Sequence, residues 1–264
     1  MESLTFTALG GECELYGVGV DRATLRQAQA WIARMHDRLT RFEPNSEVSR
    51  FNASRGRWFA VSPELEALLN ESLRAFEISD GLVNVAVLPA LLAAGYTRDF
   101  AAGPTERTEP QRTPPLPEVL YLRPGEARLM RGGSVDLGGI AKGWLADRVA
   151  KELGDNVLVN LAGDLFARGG GETGEGWPVG FGDRTLLLKD MAAATSGTTK
   201  RAWAGGHHLI DPRTGLPAQS DLSEVSVLAS TATDAEIYAK VALLLGSKDA
   251  PKWLEGRSQG WSLT

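Results

Sequence analysis

Apolar and polar positions alternate over residues 4–19, which predicts a strand interrupted at Gly10-Gly11. The spacing then lengthens. Leu25, Ala28, Ile32, Met35 and Leu39 recur at helical intervals within "DRATLRQAQAWIARMHDRLTRF", so a helix is predicted there. The periodicity is lost in "EPNSEVSRFNAS", which reads as a polar turn. It returns in "SPELEALLNESLRAFEISDG" as a second helix. Ser62 suits its N-cap, Pro63 its first position and Glu64 its first turn, and Gly81 can close it. "LVNVAVLPALLAAGY" is apolar throughout and its pattern does not choose between helix and strand.

Residues 103–117 hold five prolines and no periodicity. They read as a loop or mobile insertion and as the least ordered part of the chain. Short strands are predicted at "EVLYL", "EARLM" and "SVDL", followed by a helix opening at Ile140. The strand "NVLVNLAG" follows, then a hairpin through "DLFARGG" and strands near "WPVGF" and "TLLLKD". Beyond "MAAATSGTTKRAW" and "HHLIDPRTGLP" come a strand, "EVSVLAS", a helix, "ATDAEIYAKVALLLG", and a short tail. Helices and strands mix without regular βαβ alternation, so the expected class is α+β, one domain over residues 1–264.

Composition narrows the partners. Of 264 residues, 43% are apolar and 23% charged, an ordinary globular balance. The net charge of −5, with no basic stripe, argues against nucleic acid. No apolar run approaches the roughly 18 residues that a membrane helix needs. The N-terminal "MESLTFTALGGECELYG" has no secretory pattern, so the cytoplasm is expected unless a signal has been removed. Cys13 is the only cysteine. It can form neither an internal disulfide nor a cysteine cluster, and is expected as a small hydrophobe in a strand.

Three stretches carry candidate chemistry. In "SVDLGGIAKG", Asp136 ends the predicted strand, and Gly138 and Gly139 let backbone approach a ligand. Lys142 then puts a positive charge in the first helical turn, where acids are usual. A helix N-terminus with that charge favours an anion such as a phosphate group. In "NLAGDL", Asn160 and Asp164 bracket Ala162-Gly163, which alone reads as a hairpin turn. The third stretch runs from Thr195 to Pro217. Thr195, Ser196, Thr198 and Thr199 surround Gly197, and His207, His208, Asp211 and Arg213 follow. His208 suits proton transfer beside the acid Asp211 and the guanidinium of Arg213. His207, alternating with it on a strand, is expected to be structural.

Together these stretches resemble the ApbE family of FAD:protein FMN transferases. The matching segments are "DLGGIAKGWLAD", "NLAGDL", "ATSGTTKR", "GGHHLIDPRTGLP" and "AEIYAKVALLLG", with weaker matches at "LTRFEPNSEVSRFN" and "DGLVNVAVLPALLAAGY". The resemblance implies a two-lobed mixed sheet-and-helix architecture with an FAD cleft between the lobes. It implies cleavage of FAD, attachment of FMN by a phosphoester to a threonine or serine of an acceptor protein, and release of AMP. Phe42, Leu82, Val83, Asn84, Asp136, Lys142, Ser196 and Ile210 would then contact FAD, with His208 and Asp211 catalytic. FAD hydrolysis and flavin binding without catalysis are the alternative functions.

This chain departs from the family where Mg²⁺ is expected. The resemblance implies an aspartate and a threonine four residues apart on the last helix, with a carbonyl at Gly139. Aligned on Gly246, those two side chains are Glu236 and Lys240. In one reading Lys240 replaces the metal and pairs with Glu236; in the other, Asp234 is the ligand and Lys240 is superficial. A structural alternative makes Thr233 and Glu236 a capping box, with Glu236 and Lys240 an ordinary i,i+4 pair. A second departure sets Val83-Asn84 where the family has phenylalanine and aspartate, leaving an uncharged amide at the flavin edge.

Overall fold

The computed structural model describes residues 1–130 and 132–264. The alternating segment at the N-terminus is two strands, β1 (Glu2–Ala8) and β2 (Gly11–Gly17), which pair antiparallel across a turn at Leu9-Gly10. Both turn residues have positive φ, 54° and 78°, as a two-residue hairpin requires. The foreseen interruption is therefore a reversal. Helix α1 (Arg22–Leu39) follows as expected, with Leu25, Ile32, Met35 and Leu39 buried. The segment expected as a polar turn contains a helix, α2 (Glu47–Asn52). Ser46 caps it by accepting from the Ser49 N–H, and Val48 and Phe51, three apart, are both fully buried. Six residues were too few to show a period.

After β3 (Phe59–Ala60) comes α3 (Pro63–Ile78). Its Ser62 cap accepts from the Leu65 N–H, and Gly81, at φ 81°, returns its own N–H to the Phe76 carbonyl. The ambiguous apolar stretch is helical: a 3₁₀ turn at Val85–Val87 leads into α4 (Leu88–Ala93). The proline-rich stretch is irregular up to residue 115 but tied down. Thr105 and Thr108 donate backbone N–H groups to Gly95 and Ala93, and the Pro114 carbonyl accepts from the Asn84 side chain. Its end forms α5 (Leu116–Val119), with Leu116 buried.

Strand β5 (Glu126–Leu129) appears where expected; β4 (Leu120–Arg123) starts two residues late, because Glu118 and Val119 of the expected strand close α5. "SVDL" does not form a strand, so Asp136 does not end one. The side-chain amide of Asn52 takes the place of a neighbouring strand: it bonds the N–H and carbonyl of Val135 at 2.8 and 2.9 Å. The Asp136 N–H goes to the Val85 carbonyl. Then follow α6 (Ala141–Leu153), β6 (Val157–Leu161), β7 (Asp164–Arg168), β8 (Trp177–Phe181), β9 (Arg184–Leu188) and β10 (Met191–Gly197). Four two-residue strands come next: β11 (Ala202–Trp203), β12 (Gly206–His207), β13 (Ile210–Asp211) and β14 (Leu216–Pro217). The chain ends with β15 (Glu224–Ala229), α7 (Ala232–Leu254) and β16 (Gly260–Leu263). Gly246 breaks α7 with φ 78°. The expected tail holds β16, which pairs with β15.

Two compact units emerge. The first comprises residues 1–36, 140–196 and 224–264. Among the described residues it holds a seven-stranded sheet ordered β1-β2-β6-β7-β10-β15-β16. Helix α6 packs on β6 and β7, and α7 on β15, β7 and α6. Alternation places Val157, Val159 and Leu161 of β6 on one sheet face and Leu158 on the other. Leu158 packs with Trp177, Val179 and Leu188 of the β8–β9 hairpin, so β6 is buried on both faces. Cys13, fully buried on β2, is the expected small hydrophobe. The second unit comprises residues 37–139 and 197–223. It combines α2 to α5 with a sheet ordered β3-β5-β4 and the pairs β11–β12 and β13–β14. The class is α+β, as expected.

Candidate functional site

The first unit gathers four charges at the start of α6. Helices α6 and α7 meet backbone to backbone there because residue 143 is glycine. A Cβ at that position would lie 2.7 Å from the Ala232 carbonyl carbon and 2.9 Å from the Thr233 Cα. Asp147, one turn along α6, caps α7 by accepting from the N–H groups of Ala232 and Thr233 and from the Thr233 hydroxyl, at 2.7, 3.0 and 2.6 Å. Burial lifts its carboxyl above the ordinary range, and the hydrogen bonds from Thr233 and Ala232 oppose the shift. The helix's own N-cap is Thr231, not Thr233; of the structural alternative, the capping box is absent because Thr233 faces Asp147 and Glu236 faces α6, while the i,i+4 pair of Glu236 and Lys240 is present.

Glu236 thus presents its carboxylate to the first turn of α6. Its Oε2 accepts from the Gly143 N–H at 2.9 Å. Its Oε1 lies 3.9 Å from Lys142 Nζ and 3.9 Å from Lys240 Nζ. Lys142 also donates to Asp164 Oδ2. Asp164 arrives on a tight β6–β7 turn with φ of 56° at Ala162 and 99° at Gly163, so the hairpin reading of "NLAGDL" is correct. Both carboxylate side chains are at most 3% exposed and both lysines 15%. Burial, then the Asp164 charge, push the Glu236 carboxyl upward; Lys142, Lys240 and the Gly143 N–H oppose this.

These residues do not fit Mg²⁺. The ion takes oxygen ligands in near-octahedral geometry, and an ammonium has no lone pair to offer. One Glu236 oxygen is committed to an amide, and the other faces two ammonium groups. Asp234, the alternative ligand, stands in the first turn of α7 near Asp147, whose carboxyl its charge raises further. Gly139 belongs to the second unit.

The second unit gathers planar groups around Arg41. Its Nε donates to Asp136 Oδ2 at 2.5 Å and its Nη2 to the Tyr96 carbonyl at 2.7 Å. The guanidinium carbon lies 4.3 Å from the Phe42 ring centroid and 4.7 Å from that of Tyr96. Tyr96 in turn meets Phe42 at 5.6 Å and Trp203 at 5.7 Å. Asp136 spends its other oxygen on the Gly138 N–H, which shapes the glycine turn. Ile210 packs with Ala90, Leu91, Tyr96 and Trp203. Phe42, Asp136 and Ile210 are therefore joined through Arg41 and Tyr96.

Other expected residues have structural duties. Asn84 caps the 3₁₀ turn through the Ala86 N–H and holds Pro114 with its amide nitrogen. Val83 is buried, with its N–H on Ser79 Oγ, and Leu82 is half-buried. Ser196 is buried near the end of β10 in the first unit. His207 accepts the Leu209 N–H at Nδ1 and reaches the Ala218 carbonyl with Nε2, so it is structural, as expected. His208 follows it, half-buried, with its backbone N–H on the Arg201 carbonyl. Asp211 is gripped by Arg213 through three contacts of 2.7–3.1 Å and accepts the Arg213 N–H. Sequence reasoning missed Arg41, Tyr96 and Trp203. Arg41 lay inside the quoted "LTRFEPNSEVSRFN", but nothing local marks its partner, 95 residues away.

The chain is similar to known proteins along most of its length. A sequence profile of the ApbE family matches residues 7–262. A Haemophilus influenzae protein named FAD:protein FMN transferase is 28% identical over 86% of this chain and 74% of its own length. A Treponema pallidum protein of the same name is 30% identical over 84% and 70%. Among solved structures, the ApbE protein of Thermotoga maritima superposes with a TM-score of 0.87 at 23% identity, covering 99% of this chain and 93% of its own. The Pseudomonas stutzeri flavinyl transferase ApbE gives 0.84 at 20%, covering 100% and 93%.

Proposed function

This chain belongs to the ApbE family, and on that premise we propose that it is an FAD:protein FMN transferase. The hydroxyl oxygen of an acceptor threonine or serine attacks the FMN phosphorus of FAD. The bond from that phosphorus to the bridging oxygen breaks, and AMP leaves. The hydroxyl proton goes to a base, for which His208 is the candidate. Such a transfer asks the protein for positioning and charge neutralisation more than for covalent chemistry.

The observation that carries this reading is the family match over residues 7–262, which takes in every motif discussed above. The chain's own residues suit the substrate. Phe42, Tyr96 and Trp203 offer flat π surfaces to a planar ring system, with Arg41 against two of them. Asp136 and the glycine turn it shapes supply the backbone of the nucleotide-binding segment. Mg²⁺ has no role in this reading, because the donor set at Glu236 does not suit it.

The test is incubation of the protein with FAD and the acceptor protein of one of the relatives named above. Intact mass should show one FMN added per acceptor, with AMP formed in equal amount. AMP formed equally well without acceptor would replace transfer by hydrolysis. His208→Ala should lower turnover by roughly 10²–10⁴-fold, the usual contribution of a general base, while FAD still binds. Unchanged turnover in that variant would remove His208 from the mechanism.

A further inference from the structure

We propose that this protein takes no divalent cation at Glu236 and that the ammonium groups of Lys142 and Lys240 stand in its place beside the buried carboxylates. The inference rests on the transferase reading and adds which groups stand where a metal would.

The geometry argues for it at three levels. Two carboxylates, Asp164 and Glu236, are buried together in the first unit, and buried charges require partners. Lys142 serves both of them, and Lys240 serves Glu236 from one helical turn away. The four formal charges sum to zero, so no negative excess is left to attract a metal. A divalent ion beside Glu236 Oε1 would also have to enter against two ammonium groups already there. The ligand count agrees: Glu236 Oε2 is held by the Gly143 N–H.

The centre is also built to stay. Lys240 and Glu236 share α7, and the backbone contact at Gly143 and the Asp147 clamp fix α6 against it. Dipoles and charges held by a scaffold need no rearrangement when charge develops nearby, which is the condition for electrostatic catalysis. A fixed ammonium pair has one advantage over a bound ion: it cannot be lost by dilution or chelation.

Two measurements on the full chain test this. In the first, Mn²⁺ alone is titrated into FAD-free protein and followed by electron paramagnetic resonance. No stoichiometric binding is expected up to millimolar Mn²⁺. One equivalent bound in wild type and lost in Glu236→Gln would overturn the proposal. In the second, FMN transfer is measured with excess EDTA and again with millimolar Mg²⁺; the two rates should agree within about twofold. A loss of tenfold or more in EDTA, restored by Mg²⁺, would overturn the proposal while leaving the transferase reading intact. No transfer under either condition would defeat the transferase reading, and the Mn²⁺ titration would still decide the present one.

Lys240→Met removes the charge without supplying a ligand. It should cut transfer at least tenfold with no rescue by Mg²⁺; full activity in EDTA would show that Lys240 supplies nothing. Lys240→Thr combined with Glu236→Asp should gain both Mn²⁺ binding and Mg²⁺ dependence. Should either variant fail to fold, the wild-type titration alone decides.

Discussion

Single side chains here do work that depends on distant partners. Arg41 is the clearest case: it is almost fully buried, bonded to Asp136 and in contact with two rings. Removing one partner of a buried pair strands the other, at a cost of about 3–5 kcal/mol. Arg41→Ala should therefore lower the unfolding free energy obtained from urea titration by an amount in that range and weaken FAD binding. A change under about 1 kcal/mol would show that Asp136 finds compensation elsewhere. Cys13 gives a second residue-level prediction. Burial pushes its thiol up to about 11. A pKa raised by folding means that the native state holds its proton longer than the unfolded chain. The thiol's contribution to stability is thus complete below the ordinary thiol value and is lost as pH rises through about 11. Cys13 should resist thiol reagents at pH 8 and react at once in denaturant; fast labelling of the native protein would contradict its burial.

Between elements, the α6–α7 contact sets the geometry of the charge cluster. Gly143→Ala would force a methyl group into the backbone of Ala232 and Thr233. Overpacking of that kind costs typically about 1–3 kcal/mol, and here it should also separate Lys142 from Glu236. Asp147 adds a pH signature. Its carboxyl is raised by burial, so the folded state binds its proton more tightly than the unfolded state does. The group's contribution is complete below the ordinary carboxylate value and falls as pH rises through the shifted one. Urea midpoints measured from pH 3 to pH 7 should show that falling component in wild type and lack it in Asp147→Asn. The variant should be weaker overall, because a carboxamide cannot accept all three donors from the N-terminus of α7. Identical pH profiles for the two proteins would refute this role of Asp147.

Across the whole molecule, what the sequence made legible follows sequence distance. The helices α1 and α3 were readable because their periods and caps are local: Leu25 to Leu39, and Ser62 with Pro63. The chemistry-bearing stretches were readable as motifs. Contacts between distant segments were not. Asn52 replaces a strand for Val135 from 83 residues away, and Gly143 meets Glu236 from 93. The strand expected at "SVDL" failed because its backbone is satisfied by that side chain. The short α2 was missed because two buried residues make no period. Lys240, by contrast, stands out in the sequence itself, since an ammonium among metal-ligand positions is a chemical contradiction wherever it lies. Among the described residues no helix is long and apolar enough to cross a membrane.

The central claim is the reaction itself. The most direct measurement is the intact mass of an acceptor protein, already shown to be modified by one of the relatives, after incubation with this protein and FAD. The account predicts an acceptor heavier by one FMN, with one AMP released per modified chain. An unmodified acceptor beside intact FAD, under conditions in which the relative's own enzyme modifies it, would contradict the account.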